Sequence, residues 1–254
     1  PFDSEGMKER YPGIFFSQFT GAELVADKWN LSREDLDQFA LESHQKAAQA
    51  TESKYFDREI LPVEGKNAEG INDLVMADEG IRFDASLDKL AGLNPVTEGG
   101  VITAGNASQI TDGAAAVVIC NDAGLKKIQA NPRAEIVSIS VVGDDPVFML
   151  TGPIPASKKA LETANLSIDD MDLYEVNEAF APVPLAWAVD LKADKSKLNV
   201  NGGAMALGHP LGATGAKLMT TLLHEMERRE SKYGLQAICE GGGTANATII
   251  KRIA

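Results

Sequence analysis

From Arg133 onward, short apolar runs alternate regularly with longer amphipathic ones, and this alternation constrains the fold more than any other feature of the sequence. Strand-length runs fall at residues 136–142, 173–176, 198–200, 235–239 and 247–253, and helix-length segments at 156–164, 178–191 and 210–229. This pattern predicts an α/β fold of sheet and helix layers, with reactive groups expected where strands end and helices begin.

The first part of the chain reads differently. Residues 1–100 hold 20 acids against 10 bases, whereas the remainder holds 17 against 14. Residues 21–29 predict a short amphipathic helix, and Ser32 with Asp35 resembles a capping box opening a helix to about Lys54. Leu36, Phe39, Ala40, Ser43 and Ala47 keep helical spacing along it. Residues 64–93 scatter Gly, Asn and Asp between short apolar pieces and predict irregular structure, so residues 1–98 read as an acidic helix-and-loop appendage. The run Ala114 to Cys120 predicts a buried strand, or a small-residue helix feeding one, with Cys120 inside it.

Composition excludes several partners. The net charge of −13 repels nucleic acid and anionic lipid, so neither is expected to bind. No apolar run is long enough to span a membrane, and Pro1-Phe2-Asp3-Ser4-Glu5 has no signal-peptide character, so a soluble, cytoplasmic protein is expected. The absence of an initiator Met suggests a processed or truncated product. Cys120 and Cys239 are too few for a disulfide framework, which favours a reducing compartment. Two Cys and three His without ligand spacing predict no metal site.

Three constellations carry chemistry. In Glu175-Val176-Asn177-Glu178-Ala179-Phe180 a strand delivers Asn177 to a turn, where its amide either holds a water or caps the next helix. In the glycine-rich run from Asn201 to Ala216, Pro210 suits a first helical turn and places His209 at the positive helix end. A neutral His there can donate to an oxyanion; the alternative is an ordinary packed side chain. In Cys239-Glu240-Gly241-Gly242-Gly243 a thiol ends an apolar strand before residues able to adopt positive φ. That arrangement suits an acid/base beside an oxyanion hole, or a buried Cys and a tight hairpin. His44 and His224 read as solvated.

Taken together, Asn177-Glu178-Ala179-Phe180-Ala181, Gly208-His209-Pro210-Leu211-Gly212 and Cys239-Glu240-Gly241-Gly242-Gly243 resemble the three C-terminal signatures of the thiolases, the acetyl-CoA C-acyltransferases. Thr103 to Ser108, with Asp112 to Ala116, resembles the segment that re-enters the thiolase N-terminal core, and Thr151 to Ala156 the start of the C-terminal domain. The resemblance implies an insertion (loop) domain at 1–98, a returning core segment at 99–130 and a C-terminal thiolase domain at 131–254. It makes Cys239 the acid/base, His209 the activator of a nucleophilic Cys and, with a water on Asn177, one oxyanion hole; the Gly241 N–H joins the other. Ala104 and Ser108 match positions along the pantetheine of coenzyme A, and Arg82 a residue near its nucleotide.

The family's nucleophilic Cys has no match in either cysteine, and its N-terminal core half, on the order of a hundred residues, has no counterpart here. The resemblance therefore implies a transferase of fatty acid metabolism and beta-oxidation, cleaving 3-ketoacyl-CoA or condensing acetyl-CoA, in an incomplete form that alone forms no acyl-enzyme. CoA thioesters are its expected partners, coenzyme A serves as substrate and no separate cofactor is expected, and a homo-oligomer, dimer or tetramer, is implied. The related ketoacyl-ACP and hydroxymethylglutaryl-CoA synthases do not pair Gly-His-Pro with a later Cys-x-Gly-Gly-Gly. The rival is a non-catalytic CoA-binding or subunit-interaction module. Phe16 to Thr20 departs from the Met-His-Met-Gly pattern of acetoacetyl-specific members, which points to a different, longer acyl group.

Overall fold

The computed structural model describes residues 4–66 and 70–253. Pro1, Phe2 and Asp3, part of the segment without signal-peptide character, lie outside the described residues. The helices α1 (Glu5–Arg10), α2 (Gln18–Lys28) and α3 (Arg33–Glu52) come first, followed by β1 (Val63–Lys66), β2 (Asn72–Val75), α4 (Leu87–Ala91) and α5 (Asp122–Ile128). The second half runs β3 (Ala134–Gly143), α6 (Pro153–Ala164), β4 (Leu173–Val176), α7 (Pro182–Leu191), α8 (Ala204–Leu207), α9 (Thr214–Arg228), β5 (Tyr233–Cys239) and β6 (Thr244–Arg252).

The main sheet has the order β3-β6-β5-β4, with β4 parallel to β5 and the other pairs antiparallel. Alternation along β4 sends its side chains to two different layers. Leu173 packs with Leu222 and Met226 of α9 and with Ile250. Tyr174 and Val176 join the larger core on the opposite face, where the Tyr174 and Trp187 rings meet edge-on at 5.2 Å. Helices thus cover both faces: α9 on one, α6 and α7 on the other.

Local signals placed several elements well. The Ser32 hydroxyl accepts from the Asp35 N–H at 3.2 Å while the Asp35 carboxylate accepts from the Ser32 N–H at 2.8 Å, so the capping box that opens α3 is complete. Leu36, Phe39, Ala40, Ser43 and Ala47 are all buried. The helices α2 and α3 are no appendage, because Ala22, Val25, Leu36 and Phe39 belong to the same core as Trp187 and Leu235. An apolar helix face must be covered, and the acidic stretch has too little apolar surface of its own to cover it.

Other expectations are corrected. The strands β1 and β2 pair as a short antiparallel ladder, Val63 opposite Val75 and Lys66 opposite Asn72, in a stretch read as irregular. The helix expected from Glu178 starts at Pro182, because the preceding residues bond to another segment: Ser108 N–H donates to Ala179 O, and Ala181 N–H to Asn106 O. The helix expected from Pro210 starts at Thr214, after a turn in which the Ala213 and Thr214 N–H groups both donate to Pro210 O. At 198–200 there is no strand, only single bridges. There the Asn199 side chain imitates one, accepting from Val176 N–H and donating to Val176 O, both at 2.9 Å.

The apolar run 114–120 is irregular and exposed, with Val118 83% accessible, and Cys120 is exposed rather than buried. A strand needs a neighbour for its backbone N–H and C=O groups, and among the described residues none runs beside this one. No described helix is long and apolar enough to cross a membrane.

Candidate active site

The site lies where the parallel strands β4 and β5 end. Asn177 extends the β4 ladder, its N–H donating to Ala237 O at 3.0 Å. It is fully buried and caps no helix, since α7 begins five residues later. By alternation Leu173, Glu175 and Asn177 share the face toward α9. His209 follows α8 and meets Asn177 there: Nδ2 of Asn177 stands 3.3 Å from Nε2 of His209.

The hydrogen-bond network assigns the His209 tautomer. The Thr214 hydroxyl donates to Pro210 O at 3.0 Å, which leaves it an acceptor toward His209 Nδ1 at 2.6 Å. The Nδ1 therefore carries the proton, and Nε2 presents a lone pair that accepts from the Asn177 amide. Burial lowers the His209 pKa, and the charge of Lys217 lowers it further. His209 does not sit at the helix end expected from the sequence, because α9 starts five residues later at Thr214.

The backbone around His209 is braced. Its N–H is shared between Thr111 Oγ1 at 2.9 Å and Gln109 O at 3.1 Å. Gly208 has φ 80°, and a Cβ there would lie 2.1 Å from Thr111 Oγ1. Gln109 Nε2 donates to Gly80 O at 2.8 Å and to Met205 O at 2.6 Å, which ties α8 to the 80s loop. Lys217, its pKa lowered by burial, donates to Leu207 O at 2.8 Å.

Cys239 ends β5 and is buried; burial pushes its thiol up to about 12, so the sulfur is held as S–H. Gly241 to Gly243 then turn the chain into β6, with Cys239 opposite Ala245 and positive φ at Gly242 and Gly243. The buried Cys and the tight turn of the second alternative read from the sequence are both present. Gly241 is exposed on that turn. Among the described residues, no hydrogen bond joins Cys239 to His209; the direct polar contact of the constellation is that of Asn177 with His209.

Ala104 is exposed and Ser108 half-buried, and Ser108 is fastened to the loop after Asn177 through Ala179. The Arg82 side chain is exposed, while its N–H donates to His44 Nδ1 at 3.1 Å. His44 is thus buried with a lowered pKa, not solvated, and His224 is half-buried, its Nδ1 3.6 Å from Glu59. Both face inward because α3 and α9 pack on neighbouring elements.

Sequence reading missed Thr214, Thr111, Gln109 and Glu178. The Glu178 carboxylate accepts from Ser43 Oγ at 2.7 Å, Asn199 Nδ2 at 2.9 Å and Met205 N–H at 3.1 Å. Burial still raises its pKa. Glu178 and Thr214 lay inside the motifs already singled out, and Gln109 and Thr111 just beyond one; their partners are distant in sequence, so no local signal marked their roles.

Comparison with known proteins places the whole chain in one family. The family model "Thiolase, N-terminal domain" matches residues 5–123 and "Thiolase, C-terminal domain" matches residues 130–252. The steroid 3-ketoacyl-CoA thiolase FadA6 of Mycobacterium tuberculosis is 53% identical over 251 residues, 99% of this chain and 60% of that protein. An acetyl-CoA acetyltransferase of Paracoccus denitrificans is 47% identical over 92% of this chain and 60% of its own length. The crystal structure of the Bacillus anthracis acetyl-CoA acetyltransferase superposes with a TM-score of 0.90 at 40% identity, covering 95% of this chain and 61% of that one. Human mitochondrial 3-ketoacyl-CoA thiolase in complex with CoA gives 0.88 at 45% identity, over 92% and 58%. The chain spans about 60% of the length of the curated relatives it matches.

Proposed function

Because the chain belongs to the thiolase family, we propose that Asn177, His209, Cys239 and Gly241 serve the acyl transfer of a thiolase that cleaves 3-ketoacyl-CoA with CoA or runs the reverse condensation. The observation that carries the reading is the His209 tautomer. A bare Nε2 is the form that removes a proton from a thiol nucleophile; once protonated, the same nitrogen donates to the thioester oxyanion beside a water on Asn177. Cys239 starts as a thiol and gives its proton to the carbanion of departing acetyl-CoA, then recovers one from the incoming CoA thiol. The Gly241 N–H, exposed at the turn, serves the second oxyanion. Ala104, Ser108 and Arg82 are proposed along the CoA path, the three thiolase segments are 1–98, 99–130 and 131–254, and the protein is a cytoplasmic homo-oligomer.

Neither thiol of this sequence suits the covalent step. Cys239 is buried at a strand end and Cys120 lies in the exposed segment. The nucleophile is thus a cysteine outside these 254 residues, and the chain by itself forms no acyl-enzyme. That observation also supports the second reading, a CoA-binding or subunit-interaction module.

Solvent exchange of the acetyl-CoA methyl protons by the full-length protein tests the proposal. Cys239→Ala should slow it by about 10²- to 10⁴-fold, the range for a lost acid or base. An unchanged exchange rate would return Cys239 to a structural role, and a full-length protein that binds CoA without exchange or turnover would favour the module.

A further inference from the structure

Among the described residues, four buried side-chain oxygens have no hydrogen-bond partner: Asn177 Oδ1, Glu175 Oε2, Gln236 Oε1 and Glu59 Oε2. They share one layer, between α9 and the strands β4 and β5. Glu175 stands opposite Gln236 in the parallel register, and Gln236 donates to Gly215 O of α9 at 3.0 Å. Glu59 Oε2 stands 3.6 Å from Nδ1 of His224 on α9. Asn177 follows Glu175 by two residues on the same strand face. Four acceptors with no donor in a dry core would cost about 1–3 kcal/mol each, so water must supply the donors.

We propose that Glu175 is a positioning residue, which through bridging water holds the Asn177 amide with its NH₂ toward His209. The inference rests on the reading of His209 as the base. The Asn177 amide can sit in two orientations. With Oδ1 turned toward Glu175, Nδ2 donates to His209 and Nε2 stays bare; rotated by half a turn, Oδ1 would face Nε2 and require a proton there, which Thr214 opposes at the other nitrogen. A donor on the Oδ1 side selects the first orientation. Burial, reinforced by the charges of Glu178, Glu59 and Glu225, raises the Glu175 pKa well above the ordinary carboxylate range, against which Lys46 acts weakly. A water between the two side chains can donate one proton to the Glu175 carboxyl and the other to Asn177 Oδ1.

Glu175→Gln keeps an oxygen acceptor in a side chain of the same shape, and Glu175→Leu keeps only the volume. In the full-length protein, the Gln variant should hold kcat within about threefold, and the Leu variant should lose about tenfold or more in kcat, the scale for a group that orients a reactive side chain, with KM for the CoA thioester unchanged. Ring ¹⁵N shifts of His209 should report the Nδ1–H tautomer in the unaltered and Gln proteins and a mixture in the Leu variant. Equal losses in both variants, or an unaltered tautomer in the Leu variant, overturns the proposal. Should the Leu variant not fold, a crystal structure of the unaltered protein decides: a water between Glu175 and Asn177 Oδ1 supports the role, and a dry layer ends it. Lack of turnover in every variant would strike the thiolase reading, while the ring shifts would still decide the role of Glu175.

Discussion

Glu175 and Glu178 are both buried at the end of one strand, three residues apart, and their surroundings are opposite. Toward α3, Glu178 gathers three donors and touches Gly203 so closely that a Cβ there would lie 2.2 Å from its carboxyl carbon. Toward α9, Glu175 has a partnerless oxygen and lies among other partnerless oxygens. A saturated buried carboxylate is a rivet: each donor it holds would be stranded without it. An unsaturated one strands no protein donor when it is removed. The α3 side of β4 therefore gathers donors around a carboxylate, and the α9 side leaves unpartnered oxygens next to the Asn177–His209 contact.

The sharpest way to break this contrast is to remove both groups. Glu178→Ala strands the Ser43, Asn199 and Met205 donors and should cost about 3–5 kcal/mol in urea unfolding. Glu175→Leu should stay within about 1 kcal/mol, because it removes a partnerless buried oxygen and strands no protein donor. Equal costs would erase the distinction.

Smaller effects sharpen it. Gly208→Ala forces a side chain into positive φ against Thr111 and should lose about 1–3 kcal/mol while displacing His209, visible in the ring ¹⁵N spectrum. Thr111→Val removes one of two acceptors on the His209 N–H and should cost about 1 kcal/mol by thermal unfolding.

At Glu59 the effect is carried by pH. Burial raises its pKa from 4.5 to about 7, so the folded state holds a proton that the unfolded state releases. The stability this contributes is fully present below 4.5 and is lost as pH rises through about 7. Glu59→Gln should therefore gain on the unaltered protein across that window and run parallel to it above. A constant difference at all pH values would place Glu59 outside the buried layer. The smallest effect is expected at Cys120→Ser, within about 0.5 kcal/mol, because the segment that holds it is exposed.

Much of the fold was legible because its causes are local. The Ser32–Asp35 capping box, the spacing from Leu36 to Ala47, and the apolar run 173–176 that became β4 all depend on neighbours within a turn or along one strand. Local cues misplaced the starts of α7 and α9 and the environments of His44 and Cys120, where remote contacts prevail.

The sequence by itself determined the layered α/β order and the three motifs that mark Asn177, His209 and Cys239. Only the tertiary structure decided which nitrogen of His209 is bare, which carboxylate is saturated and which is left with a partnerless oxygen. Those properties depend on contacts between Asn177 and His209, 32 positions apart, and between Ser43 and Glu178, 135 apart. Periodicity records which face of an element is apolar; it does not record which polar atom meets which, because that is settled when the layers pack.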